Sequence, residues 1–146
     1  MKRILLSLTV ALTFASCQND KKEESETATL EFQTKTYEKK TSLPCKTDVC
    51  AEVKIVVPEV SNVPVVADSI NNKIFNTVRG IVYFGEKPSD GKTYEEVMKA
   101  FIDSYDKLKE EYADERPGWE AKIEANVAYT SDKILNIKLH NYTFTG

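Results

Sequence analysis

Of all the features of the sequence, the strict alternation of apolar and polar residues near its end most restricts the folds that the chain can adopt. A first alternating stretch contains Trp119, Ala121, Ile123, Ala125, Val127 and Tyr129, and a second contains Leu135, Ile137 and Leu139. A period of two predicts β-strands with one buried face, and the segment 130–133 between them, Thr-Ser-Asp-Lys, has the composition of a turn. The pattern therefore predicts a long hairpin, with Trp119 and Tyr129 on its buried face.

Two earlier stretches have the same period of two. The first runs from Leu30 to Thr36, and the second runs from Ala51 to Val57 and is ended by Pro58. Two segments between these strands and the hairpin have helical spacing instead. Asp68 is the predicted N-cap of the first helix. Thr93 and Glu96 form a capping box that predicts the start of the second.

Strands at both ends of the domain, with helices between them, predict an α+β fold. We expect an antiparallel sheet with two helices packed on one face. A chain of 146 residues suffices for one domain with a single core. We assign that domain to residues 30–146.

The N-terminus has the pattern of an export signal. Lys2 and Arg3 precede an apolar stretch from Ile4 to Ala15, which is shorter than the ~20 residues of a membrane-spanning helix. The sequence Phe-Ala-Ser-Cys at 14–17 resembles the lipobox of bacterial lipoproteins, although Leu is usual where Phe14 stands. We predict a signal peptide at 1–16, lipid such as palmitate on Cys17, and a flexible charged tether at 17–29. The alternative is an ordinary secretory signal that leaves Cys17 as a free thiol.

The export signal and the lipobox-like sequence predict an outer-membrane lipoprotein of the cell envelope. We further expect it to be displayed at the cell surface. The formal net charge is −3, and removal of Lys2 and Arg3 with the signal brings it to about −5. An acidic balance of this kind argues against nucleic acid as a partner. With lipid on Cys17, the first expected partner is the membrane.

The remaining two cysteines, Cys45 and Cys50, lie five positions apart between the first two predicted strands. In an exported protein this spacing predicts a structural disulfide that closes a small loop. Zinc is the competing interpretation, but His140 is the single histidine and there is no second cysteine pair. We therefore predict no metal site.

No motif of a catalytic nucleophile, phosphate loop or metal enzyme occurs in the sequence. We expect no catalytic residues, no cofactor and no enzymatic activity. His140 is interpreted as a solvated strand residue. Tyr142 and Phe144 occupy even positions in the final strand, whereas its other large apolar residues occupy odd positions, so these two aromatic residues are the candidate binding surface.

Several short segments together resemble the PdaC-type domain. They are the segment from Ser-Ile-Asn-Asn at 69–72 through the second predicted helix, Pro-Gly-Trp at 117–119, Val-Ala-Tyr at 127–129, Ser-Asp-Lys-Ile-Leu at 131–135 and the closing Tyr-Thr-Phe-Thr-Gly at 142–146. Such a domain occurs upstream of the catalytic domain of a peptidoglycan deacetylase and in the extracellular part of the lysozyme-sensing anti-sigma factor RsiV. The resemblance implies an accessory or sensing module outside the membrane, for an envelope glycan such as peptidoglycan or a lysozyme-like protein.

The same resemblance leaves a second interpretation open. In this family a Gly-Ala-His segment and a second domain typically follow the ending that Gly146 closes here. The chain is then the N-terminal accessory domain of a longer envelope enzyme. Deacetylase activity belongs to a separate catalytic domain whose metal-binding Asp and His residues have no match in this sequence, so we do not transfer it.

Overall fold

A computed structural model of the chain describes residues 29–44, 50–112 and 117–146. Four strands and two helices follow one another in the order β1 (Phe32–Lys40), β2 (Glu52–Val60), α1 (Pro64–Arg79), α2 (Tyr94–Glu111), β3 (Glu120–Thr130) and β4 (Leu135–Phe144). The predicted α+β class, with a mostly antiparallel sheet and two helices, is confirmed. Within these ranges, neither helix is long and apolar enough to cross a membrane.

The sheet has the strand order β1-β2-β3-β4. The two outer pairs, β1 with β2 and β3 with β4, are antiparallel as predicted. The central pair differs from the prediction, because β2 and β3 run parallel from Glu52 beside Glu120 to Val56 beside Glu124. The chain leaves β2, passes through both helices and returns to the same end of the sheet, and a crossover of this kind yields parallel neighbours.

The core lies between one face of the sheet and the two helices. Helix α1 packs on β2, and α2 packs on β1 and β2. Ala51, which directly precedes β2, is buried, and so are the strand residues that face the helices: Val53, Ile55, Val57, Ala121, Ile123 and Ala125. Trp119 is also fully buried, with its ring centroid 4.3 Å from that of Phe84 and 5.4 Å from that of Phe101. Burial of Trp119 follows the predicted alternation.

The predicted N-cap is correct for α2 but not for α1. Helix α2 begins as predicted: the Glu96 amide donates to Thr93 Oγ1 at 3.2 Å, and the Glu96 carboxylate accepts from the Lys92 amide at 2.6 Å. Helix α1 begins earlier than predicted, at Pro64, and Asp68 is not its N-cap. Proline suits the first helical turn because its φ angle is preset and no amide proton is lost to the helix.

Two further differences concern β2 and β3. Pro58 does not end β2, which continues to Val60. Beyond Val56 the strand has no β3 partner, so Pro58 occupies an edge where proline is tolerated. In β3 a register shift between Val127 and Tyr129 interrupts the alternation. Tyr129 is therefore 57% exposed, contrary to its predicted burial.

Candidate functional site

Three of the predicted site residues lie in the N-terminal half of the chain. Cys17 and Cys45 lie outside the described residues, so lipidation of the first and the disulfide of the second stay predictions. Cys50 is half-buried and lies two residues before the start of β2. This position lies in the connection between β1 and β2, where the loop was expected.

The other two, Tyr142 and Phe144, lie on the face of the sheet opposite the helices. We call this the open face; it carries Lys54 on β2, Lys122 on β3 and both aromatic residues on β4. Lys122 is the strand partner of Tyr142, and Glu120 is the partner of Phe144. Tyr142 is 54% exposed and Phe144 is 43% exposed. Because residues two apart in a strand are about 6.8 Å apart, the two rings form one short row at the sheet edge.

Alternate residues of β4 face opposite sides of the sheet, and this separates the two aromatic residues from the apolar residues of the same strand. Leu135, Ile137 and Leu139 are half-buried and belong to the helix side of the sheet. Tyr142 and Phe144 belong to the other side, as the sequence predicted. They contribute little to the core, so their exposure leaves them available to a ligand.

Several ion pairs lie on the open face near the aromatic row. Lys122 pairs with Glu120, and its ammonium lies 4.0 Å from one carboxylate oxygen of Glu52. The other oxygen of Glu52 pairs with Lys40 at 2.9 Å. Lys54 pairs with a further carboxylate, that of Glu38, at 2.7 Å. Exposed pairs of this kind contribute little to folding, but they fix the positions of the charges.

The pKa shifts on this face follow from the same pairs. A hydrogen bond to Glu120 is the main cause that raises the pKa of Lys122, and the nearby Tyr142 adds to the effect. A hydrogen bond from Lys54 lowers the pKa of Glu38. Both shifts favour the charged forms of Lys122 and Glu38.

A shallow concavity of about 230 Å³ lies beside the aromatic row. Its wall is formed by side chains of three neighbouring strands: Lys54, Val56, Lys122, Glu124, His140 and Tyr142. His140 is exposed and is the strand partner of Glu124. A volume below the usual 300–1,000 Å³ of a ligand pocket fits a single small ring or group on an extended ligand.

Tyr142 could be identified from the sequence, but the charged residues that surround it could not. Lys54 and Lys122 are adjacent because β2 and β3 pair in parallel, with Lys54 directly beside Lys122. Nothing in the local pattern of either strand specifies that register. The alternation of polar residues in β3 could have placed Lys122 and Glu124 on the solvent face, but not beside Lys54.

A second concave surface lies on the helix side of the sheet, and we call it the α1–β4 groove. Its volume is about 440 Å³. Its apolar lining consists of Ile70, Ile74, Ala125, Leu135, Ile137 and Leu139, and Lys73 lies among its polar lining residues. The helices pack mainly over β1 and β2, which leaves this side of β4 half-covered.

A metal-dependent reaction would need several ligands close together. In the three ranges described by the structure, no group of three or more His, Cys, Asp or Glu side chains is arranged to hold a metal ion. His140 and Glu124 are strand partners on the open face, and two ligands are too few for a typical site.

Comparison with protein families identifies a match over most of the chain. Residues 44–146 match the family model described as Deacetylase PdaC. This range includes β2, both helices, β3 and β4, and therefore the aromatic row and the concavity. Comparison with curated proteins and with solved structures gave no match.

Proposed function

The chain belongs to the Deacetylase PdaC family, and from this membership we propose that it is a non-catalytic binding module of the cell envelope. In this proposal the open face binds an envelope glycan such as peptidoglycan. Lipid on Cys17 holds the module at the outer membrane, and the charged segment 17–29 acts as its tether. The absence of catalytic motifs in the sequence supports binding rather than chemistry.

The exposed aromatic row is the observation that carries this proposal. Tyr142 and Phe144 are neighbours on one strand face, and charged side chains flank both of them. Aromatic rings of this kind stack against the apolar faces of sugar rings, while charged and amide groups bind their hydroxyls. The row therefore combines both contacts that a sugar needs.

Titration calorimetry with soluble peptidoglycan fragments tests this proposal. We expect measurable binding to the chain and a loss of at least tenfold in affinity for the Tyr142→Ala, Phe144→Ala double variant. Tyr112→Ala is the matched control, since Tyr112 is 55% exposed but lies at the end of α2. Unchanged affinity in the double variant would remove the open face from the proposal.

A lysozyme-like protein is the other partner that the family resemblance implies, and the same experiment includes it. Binding of lysozyme together with no binding of peptidoglycan fragments would overturn the glycan form of the proposal. Binding of neither would overturn the proposed function as a whole.

The α1–β4 groove favours a second candidate function, that of an accessory domain in a longer envelope enzyme. In that function a neighbouring domain covers the apolar side chains of β4 that the helices leave half-covered. Reading the genomic DNA beyond the Gly146 codon tests this directly. An open frame encoding a further domain supports it, and an immediate stop codon contradicts it.

A further inference from the structure

One carboxylate on the open face differs from all its neighbours. Glu38, Glu52 and Glu120 each form an ion pair with a lysine. Glu124 forms none within the part of the chain that the structure describes, although it lines the concavity. The difference is local, because the lysines that line the same concavity are already engaged by other carboxylates.

The strand neighbours of Glu124 do not satisfy it either. Val56 on β2 is apolar, and His140 on β4 forms no hydrogen bond or ion pair with Glu124 in the structure. Lys122 lies two residues earlier on the same strand face, but its ammonium contacts Glu120 and Glu52. An uncompensated carboxylate therefore lines a concavity that also contains the exposed ring of Tyr142.

We propose that the concavity binds a primary ammonium group carried by an envelope glycan, with Glu124 as its anionic partner. This inference rests on the proposed glycan-binding function and specifies the form of the ligand. A sugar ring stacked on Tyr142 places an amino substituent beside Glu124, where the carboxylate and the ring both attract it. A glycan whose amino sugars are all N-acetylated lacks that charge, so the site distinguishes the free amine from the amide.

Paired oligosaccharides that differ only in N-acetylation test the inference. We expect a fully de-N-acetylated chito-hexaose to bind the full chain about threefold to tenfold more tightly than the N-acetylated hexamer, the range for one exposed charge contact reinforced by an aromatic ring. Glu124→Gln should abolish this preference, because the amide keeps the size of the side chain but carries no charge. Glu124 makes no ion pair within the described ranges, and circular dichroism checks that the variant folds.

Glu110→Gln is the matched control, because it removes the same charge from the exposed surface of α2. A polycationic sugar is attracted to any acidic protein, and only the difference between the two variants reports the site. Equal loss of the preference in both variants would overturn the inference. So would equal affinity of the unaltered chain for the two hexamers.

Failure of the inference and failure of the proposed function give different results. If both hexamers bind equally and the Tyr142→Ala, Phe144→Ala variant loses both, the glycan function stands and the amine specificity is wrong. If neither hexamer nor any peptidoglycan fragment binds, the proposed function fails and the inference with it.

A lysine-containing stem peptide is a further ligand to be tested. Binding of that peptide dependent on Glu124, without a preference between the hexamers, overturns the assignment to the sugar and moves the amine to the peptide part of the envelope polymer.

Discussion

Replacement of Asn71 by alanine is expected to destabilise the domain more than any other exchange of a single exposed or half-exposed polar side chain in α1. The Asn71 side chain joins α1 to the end of β2 through two hydrogen bonds. Its Oδ1 accepts from the Val60 amide at 2.9 Å, and its Nδ2 donates to the Val60 carbonyl at 3.0 Å. Val60 is buried, so water does not readily replace these partners.

The magnitude follows from the two bonds. Each contributes about 0.5–1.5 kcal/mol, so we expect a loss of about 1–3 kcal/mol. Alanine also has the higher helix propensity, by up to about 0.7 kcal/mol, which offsets part of the loss. The neighbouring variant Asn72→Ala gains the same helix propensity, because the same exchange is made in the same helix. Asn72 is exposed and its side chain makes no hydrogen bond within the described ranges, so this variant loses no such bond. The difference between the two variants therefore isolates the bonds to Val60.

Urea unfolding followed by circular dichroism measures this difference. Asn71→Ala should be about 1–3 kcal/mol less stable than Asn72→Ala, with unchanged dependence on urea concentration. Asn71→Asp should be intermediate, since a carboxylate still accepts from the Val60 amide but cannot donate to its carbonyl. Equal stability of the two alanine variants would refute the assigned role of Asn71.

Three further predictions concern other parts of the fold. Burial raises the pKa of Tyr94 above its ordinary value, with Tyr37 and Glu59 as further causes. The stability that this raised pKa contributes is fully present below about pH 10 and is lost as pH rises further. Tyr94→Phe should therefore show a smaller fall in unfolding free energy between about pH 9 and 11 than the unaltered chain, and parallel curves would contradict the cause. Thr93→Ala should cost about 1 kcal/mol by thermal unfolding, and Thr93→Ser should restore most of it. Reduction of the predicted disulfide between Cys45 and Cys50 should cost about 2 kcal/mol, while the Cys45→Ser, Cys50→Ser variant should show no response to the reductant.

Features with a local cause could be predicted from the sequence. Thr93 and Glu96 lie three residues apart, and hydrogen bonds that close within one helical turn define the start of α2. The apolar residues of β2 alternate with polar ones because one face of the strand is buried against the helices. The parity of β4 likewise placed Tyr142 and Phe144 on the exposed face.

Features with a non-local cause could not be predicted. The parallel pairing of β2 with β3 depends on where the chain returns after two helices, and the strands themselves have no signal for it. The exposure of Tyr129 depends on a register shift against β4. The concavity has the same origin, because Glu124, His140 and Lys54 come from three different strands.

The central claim is that the open face recognises an envelope glycan, and chemical-shift mapping tests it most directly. Soluble peptidoglycan fragments are titrated into ¹⁵N-labelled protein, and the backbone amides that move are located on the structure. We predict shifts clustered on the open face, at Lys122, Glu124, His140, Tyr142 and Phe144. Shifts clustered instead along the α1–β4 groove, or no shifts at saturating ligand, would contradict the claim.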